Sequence, residues 1–271
     1  MTEDTNGRAP LEIVRIATSD DDFVVEILPA TPSTNAELAG RARDGAAEGL
    51  VIATEHQTAG RGRLNRTWET PPHSALTFSV LLRPPADQVP AQRWPWLPLL
   101  TGLAVTSALR EEGYAAGVKW PNDVLLRTAS GEEKKVCGIL VERIETPDGP
   151  AAVVGIGLNT SLTPEELPVP TATSLAIESD GPVDRTGLLL HVLRAVFGHY
   201  TDWVADPDGL RTAYAEASLT LGRRVRVQLP DGSDLVGTAT AIDETGRVVI
   251  ETEQGEQVVG AGDVVHLRPV D

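Results

Sequence analysis

The chain has one cysteine and one methionine among its 271 residues. A lone thiol cannot make an internal disulfide, so stability must come from a packed core, and the chain reads as cytoplasmic. Nothing near the start resembles a signal peptide, and no run approaches the roughly 18 apolar residues of a membrane span. Basic residues are also scarce: 23 Lys and Arg against 39 Asp and Glu leave a formal net charge of −16. Such a surface repels phosphates and excludes non-specific nucleic-acid binding from the expected roles. The five histidines lack metal-ligand spacing, and no carboxylate cluster announces a metal site built by the protein. What remains is 41% hydrophobic and 23% charged, enough for one large domain and a smaller one.

Periodicity and turn chemistry divide the chain into an N-terminal extension (1–20), a larger domain (21–217) and a C-terminal domain (218–271). Within the extension, Leu11–Ile16 suits a short strand or helix. Strands are expected at Phe23–Leu28, Leu50–Thr54, Ala75–Leu82, Gly117–Trp120, Val124–Leu126, Val136–Glu145 and Ala152–Leu158. Helices are expected from Thr34 to about Asp44, over Trp96–Glu112, over Thr186–Val204 behind an Asp184 cap, and over Asp208–Ala217. Ser33 or Thr34 caps the first of these, and Glu37 stands where a capping box with Thr34 would want it. The fold class is α+β, a mixed sheet flanked by helices. From Ser218 onward, alternating segments at Val225–Leu229, Val248–Ile250, Val258–Val259 and Val264–Leu267 suit a small SH3-like barrel.

One segment runs against the acidic background. Between His56 and Thr67 there is no acid, and Gly60-Arg61-Gly62-Arg63 is followed by Arg66 and Trp68. Glycines let a backbone approach a ligand, and arginines present planar donor forks to carboxylates and phosphates. The loop reads as an anion clamp. Three further motifs follow: Lys119-Trp120-Pro121-Asn122-Asp123; Lys135 leading into an apolar strand with Gly138; and Gly155-Ile156-Gly157-Leu158-Asn159. Each is weak alone. Cys137, flanked by Val136 and Gly138, reads as a buried structural thiol, and Trp120 as a packing residue.

Taken together and in this order, with Ser33-Thr34-Asn35, these motifs closely resemble the catalytic domain of biotin protein ligases. The resemblance covers roughly residues 20–270. It departs at Asn65, where the family usually has glycine, and in a longer polar tip at Arg127–Lys134. It implies that ATP and biotin are substrates, with Mg²⁺ accompanying ATP, and that the acceptor is a biotin carboxyl carrier protein domain of acyl-CoA carboxylases. It also implies catalytic roles for Arg61, Arg63 and Lys135. Ser33, Thr34, Asn35, Gln57, Gly60, Gly62, Gly138 and Gly157 would join these three around biotin. Arg63, Arg66, Trp68, Lys119, Asn122, Asp123 and Asn159 would face the nucleotide. Every adenylation motif lies at or before Asn159, so the C-terminal domain is expected to contribute none.

Two other functions compete. A lipoate or octanoate ligase shares the fold, but its glycine-rich Arg-Arg-x-Ser-Gly-Gly-type segment is absent from the chain. A biotin-sensing repressor needs a helix-turn-helix domain, and about 20 residues before the first strand are too few for one.

Overall fold

The structure, a computed structural model, describes residues 7–17, 23–63, 66–179, 181–228, 233–260 and 266–269. Seven strands form the main sheet: β1 (Val24–Leu28), β2 (Leu50–Thr54), β5 (Ala75–Leu82), β6 (Ala116–Lys119), β7 (Asp123–Arg127), β8 (Glu133–Thr146) and β9 (Gly149–Asn159). Their order is β1-β2-β5-β9-β8-β7-β6, with β1 parallel to β2 and all other neighbours antiparallel. Every residue of β5, Ala-Leu-Thr-Phe-Ser-Val-Leu-Leu, is buried, as a strand inside the sheet with both faces covered should be.

Strand periodicity then decides what each face carries. Leu76, Phe78, Val80 and Leu82 of β5 and Ala152, Val154, Ile156 and Leu158 of β9 enter the main core, beneath α3 (Leu97–Glu111), α5 (Arg185–Ala205) and α6 (Pro207–Ala217). The alternate residues face α2 (Thr34–Arg43), where Leu81, Ala151 and Val153 meet Leu38, Ala42, Ile52 and Ile144. The same parity places Thr77, Ser79, Gly155 and Gly157 on the α2 face. Gly138, opposite Gly157 in the β8–β9 register, joins them.

Ser33 is the cap of α2, its hydroxyl accepting from the Ala36 amide. This shifts the start of the helix, so the expected Thr34–Glu37 capping box does not form, and Glu37 instead accepts from Arg41 at 3.0 Å. Asp184 caps α5 as expected.

The sequence reading omitted a helical turn at α4 (Leu175–Ser179) and a two-residue ladder inside the arginine loop, β3 (Gly60–Arg61) with β4 (Thr67–Trp68). Leu11–Ile16 yields only a short helix, α1 (Ile13–Ala17).

The C-terminal strands β10 (Arg224–Gln228), β11 (Asp234–Ile242), β12 (Val248–Thr252), β13 (Gly255–Val259) and β14 (His266–Pro269) form an antiparallel sheet ordered β13-β12-β11-β10-β14. The topology is that of a small SH3-like domain, but among the described residues no pairing joins β13 to β14. Strand β11 went unread because Gly237 and the four threonine or alanine positions 238–241 dilute its alternation. The expected turn at 230–232 and the start of the last expected strand at Val264 lie outside the described residues.

This sheet is bolted to the larger domain. Trp120 Nε1 donates to the Gly246 carbonyl at 3.0 Å, Trp96 Nε1 to the Glu244 carbonyl at 3.1 Å, and the Leu219 amide to the Val118 carbonyl at 2.7 Å. Arg223 forks onto both Glu133 oxygens at 2.8 and 2.6 Å. Trp120 is 1% exposed, in keeping with its expected packing role.

Candidate active site

The α2 face of the sheet opens into a cleft of about 990 Å³, bounded by the start of α2, the arginine loop, the β6–β7 turn, residues 168–172 and the first turns of the C-terminal domain. Its floor is flat because the sheet lacks side chains there. A Cβ on Gly157 would stand 2.5 Å from the Trp68 ring, and one on Gly155 2.3 Å from Asn35 Oδ1. A Cβ on Gly138 would meet Lys135 Nζ at 3.2 Å and the Trp68 ring at 3.3 Å. Trp68 thus lies across the glycine floor, with its indole N–H buried and unpartnered.

Beneath the floor runs a chain of polar contacts. Gln57 Oε1 accepts from the Thr34 amide at 2.9 Å and the Thr34 hydroxyl at 3.2 Å. The Ser79 hydroxyl sits 2.8 Å from Thr34 Oγ1 and 2.6 Å from Asn35 Oδ1. Asn35 Nδ2 donates to Glu142 at 2.7 Å and to the Leu140 carbonyl at 3.3 Å. Glu142 in turn stands 3.6 Å from Arg61. Asn35, on α2, therefore commits its amide to strands β5 and β8, a scaffold for the floor at Gly155.

The walls carry charge. Arg61, Arg63, Arg66, Lys119 and Lys135 all line the cleft. Arg63 donates to Asn122 Oδ1 at 3.1 Å, and Asn122 Nδ2 holds the Ile139 carbonyl at 2.8 Å. Burial lowers the Arg63 pKa, Asp123 opposes that shift and the like charge of Arg66 adds to it. A guanidinium nonetheless remains protonated. Lys135 Nζ stands 2.6 Å from Asp123 Oδ1, and its strand is tied on the other side by the Lys135 amide to the Thr171 carbonyl at 2.8 Å. Asn159 Nδ2 donates to the Thr173 carbonyl at 3.0 Å.

Of the residues singled out from sequence, Ser33, Thr34, Asn35, Gln57, Arg61, Gly62, Arg63, Arg66, Trp68, Lys119, Asn122, Asp123, Lys135, Gly138, Gly157 and Asn159 all line this one cleft. Gly60 does not. It is buried behind the wall, where a Cβ would lie 2.2 Å from the Trp68 carbonyl oxygen and 2.3 Å from Gln57 Nε2. Its lack of a side chain serves the loop's own ladder. The C-terminal domain nonetheless reaches the cleft: Leu219, Thr220 and Val225 line it, because residues 218–225 pack on Gly117 and Trp120. Gly155 was named in its motif but given no site role, although strand parity with Gly157 places it on the same face, and Ser79 and Glu142 were given none either. Pro168, Val169 and Ala172 carry no local signal at all.

Two further carboxylates line the cleft with Asp123, Glu69 and Glu133, while Glu142 stands behind Asn35. Asp123 is held by Lys135, and Glu133 by Arg223 and Arg127. Among the described residues no three His, Cys, Asp or Glu side chains are grouped to hold a metal. Cys137 is fully buried, and burial pushes its thiol up to about 12. His191 lies between Glu111 and Glu112, and His199 beside Ser107, both remote from the cleft lining. No helix among the described residues is long and apolar enough to cross a membrane.

Residues 28–159 match the family model of the biotin/lipoate A/B protein ligase family, and residues 220–267 that of the biotin protein ligase C terminal domain. The chain is 41% identical over 249 residues to the biotin–[acetyl-CoA-carboxylase] ligase of Mycobacterium tuberculosis, covering 90% of this chain and 89% of that one. It is 31% identical to the bifunctional ligase/repressor BirA of Bacillus subtilis, covering 88% of this chain and 72% of the relative. Among solved structures, the biotin protein ligase from Aquifex aeolicus in complex with biotin and ATP superposes with a TM-score of 0.75 at 28% identity, covering 91% and 99% of the two chains.

Proposed function

The chain belongs to the biotin/lipoate A/B protein ligase family, and from that premise we propose that it activates biotin with ATP and transfers it to a carrier lysine. The observation that carries this reading is the convergence of five cations on a glycine-floored cleft in a protein of net charge −16. In the first step a biotin carboxylate oxygen attacks the α-phosphorus of ATP, pyrophosphate leaves, and biotinyl-5'-AMP forms. No base is needed, because the carboxylate is already the nucleophile. The cost lies in bringing two anions together and spreading charge at phosphorus, which preorganised cations offset. Arg61 and Arg63 are assigned to that clamp, and Lys135 to the bridging oxygen of the mixed anhydride. Asp123 aims Lys135 in the resting enzyme. In the second step the carrier amine attacks the biotinyl carbonyl, AMP leaves, and the nitrogen gives up a proton as the amide forms.

Ser33, Thr34 and Gln57 offer hydrogen bonds to the ureido ring, with Asn35 fixing the floor and Gly62, Gly138 and Gly157 assigned to the biotin pocket, the last two being where the Trp68 ring lies in this structure. Arg66, Trp68, Lys119, Asn122, Asp123 and Asn159 are assigned to the nucleotide side. Mg²⁺ would enter on the phosphates of ATP, since Asp123 and Glu133 are engaged by Lys135, Arg223 and Arg127, which leaves Glu69 as a lone carboxylate on the rim. We assign adenylation chiefly to residues 21–217 and place residues 218–271 as the domain that closes one end of the cleft. The acceptor is the biotin carboxyl carrier protein domain of an acyl-CoA carboxylase, and the setting is cytoplasmic.

The test is to incubate the protein with ATP, Mg²⁺ and biotin and to look for biotinyl-5'-AMP by mass spectrometry, then add a carrier domain and look for its biotinylated form. Biotinyl-adenylate and a singly biotinylated lysine are expected. Absence of both, or preferential use of lipoate, would overturn the reading.

A further inference from the structure

A group of buried charges lies outside the cleft and takes no part in the chemistry above. Glu55 and Arg185 are 8% and 5% exposed in their side chains and form an ion pair of 2.7 Å. Burying such a pair is costly, and it persists only where further hydrogen bonds satisfy both partners. Here most of those bonds involve one segment in common, and Arg185 Nε alone of the guanidinium nitrogens is left buried without a partner. Glu55 Oε1 accepts from the Leu11 amide at 2.6 Å, and Arg185 Nη1 donates to the Ala9 carbonyl at 2.9 Å. Arg185 Nη2 also reaches the Ala75 carbonyl at 3.0 Å.

These contacts sit at the neck of the arginine loop. The His73 amide donates to the Glu55 carbonyl at 2.9 Å, so residues 55 and 73 close the loop between them. His73 Nδ1 also stands 3.1 Å from Glu55 Oε2. His73 adopts φ 59, a left-handed conformation that a non-glycine residue holds only where its surroundings enforce it.

Residues 8–12 then reach the opposite wall. Arg8 donates to the Ser161 carbonyl through Nε and Nη2, at 3.1 and 2.8 Å, and pairs with Glu166. The Ser161 amide in turn donates to the Ser74 carbonyl at 2.7 Å, and the chain beyond Glu166 supplies Pro168, Val169 and Ala172 to the cleft. The Glu12 amide meets Thr186 Oγ1 at 3.0 Å at the start of α5. One short N-terminal strap is therefore hydrogen-bonded to the neck of the cationic loop, to the segment leading into the facing wall, and to α5.

We infer that Arg8, Glu55 and Arg185 are positioning residues: through the N-terminal strap they set the neck of the arginine loop against the 161–172 wall, and so set where Arg61 and Arg63 meet the substrate carboxylate. This rests on the proposed ligase activity for its consequence, though the clamp itself can be read without substrate. None of the three lines the cleft, so their effect passes through the loop.

Arg8→Ala is the informative variant, because it removes the link to Ser161 and Glu166 while leaving the core intact. Deuterium uptake is measured without ligand for peptides spanning 56–72 and 161–172, with β11 and β12 peptides as internal reference. The biotin KM of adenylate formation and the Tm are measured alongside. Faster uptake in both segments and a biotin KM raised about tenfold are expected, the scale at which sub-ångström misplacement of a reacting group is felt. Arg8→Lys, which keeps the charge but not the paired donors, should recover part of the loss. Glu55→Gln should act in the same direction and more strongly.

A lower Tm with unchanged uptake, or with an unchanged biotin KM, would reduce the strap to a structural brace and overturn the inference. Failure of the wild-type protein to make biotinyl-adenylate would sink the functional reading instead, and the uptake comparison would still decide whether the clamp exists.

Discussion

Gly138, Gly155 and Gly157 lie in the middle of a paired sheet, with β8 and β9 in register from Cys137 and Leu158 to Thr146 and Gly149. Among its described residues the facing arginine loop has two positions paired in a ladder, Gly60 with Trp68 and Arg61 with Thr67. The floor is therefore shaped by backbone and by missing side chains, and its shape exists before any ligand arrives. The loop supplies charge on a scaffold pinned mainly at its neck by Glu55 and His73. Substitutions in the floor should act through sterics and those in the loop through charge and ordering.

The largest effect expected from that contrast is at the floor. Gly157→Val puts branched carbon where the Trp68 ring already lies 2.5 Å from a would-be Cβ. Biotin binding by calorimetry should become undetectable while circular dichroism stays native. Near-normal affinity would show that the floor is more pliable than a paired sheet should be.

Lys135→Ala comes next. It should leave the fold intact and slow adenylate formation by about 10²–10³, the range for removing one preorganised charge stabiliser. Wild-type turnover in a quench-flow assay would remove Lys135 from the mechanism.

The loop's signature is smaller. Three neighbouring arginines repel one another until an anion arrives, so biotin and ATP should share one ordering step and each tighten the other by about 5- to 100-fold. Titrating biotin with and without a non-hydrolysable ATP analogue checks this, and identical affinities would mean that the loop is as preformed as the floor.

The smallest effect concerns the bolt between domains. Arg223 holds the Glu133 carboxyl below the usual carboxylate range, its hydrogen bond outweighing the opposing desolvation. A depressed folded-state pKa means the stabilisation is fully present above the unfolded value, about 4.3, and fades as pH falls through the folded one. The Tm gap between wild type and Arg223→Ala should be modest at pH 7, since the pair still reaches solvent with side chains 35% and 17% exposed, and should close below about pH 4. A gap that is the same at both pH values would place the effect of Arg223 in packing.

Much of this was legible along the chain because local rules were at work. Apolar runs marked β2 and β5 at their observed bounds and the middle of β9, and Asp184 capped its helix where a short acceptor should. The arginine loop stood out because cations without nearby acids are conspicuous in an acidic protein. What escaped had no local mark. Ser79 reads as one polar residue in an apolar strand, and becomes a link between Thr34 and Asn35 only once α2 lies across β5. Arg8 and Arg185 are 177 positions apart and look like solvated charges until the strap brings them to opposite ends of one clamp.

The chain by itself determined the parts whose physics is short-ranged: strand and helix identity, the caps, the missing side chains of the glycine floor and the sign of the cationic loop. Tertiary structure alone decided which of these face each other. It drew Leu219 and Thr220 into the cleft, withdrew Gly60 from it, and made Asp123 a partner of Lys135. The first depends on domain docking, with Leu219 and Thr220 meeting Gly117 and Trp120 far back along the chain, and the other two on how the arginine loop closes and how β7 registers with β8, and no local pattern records these partners.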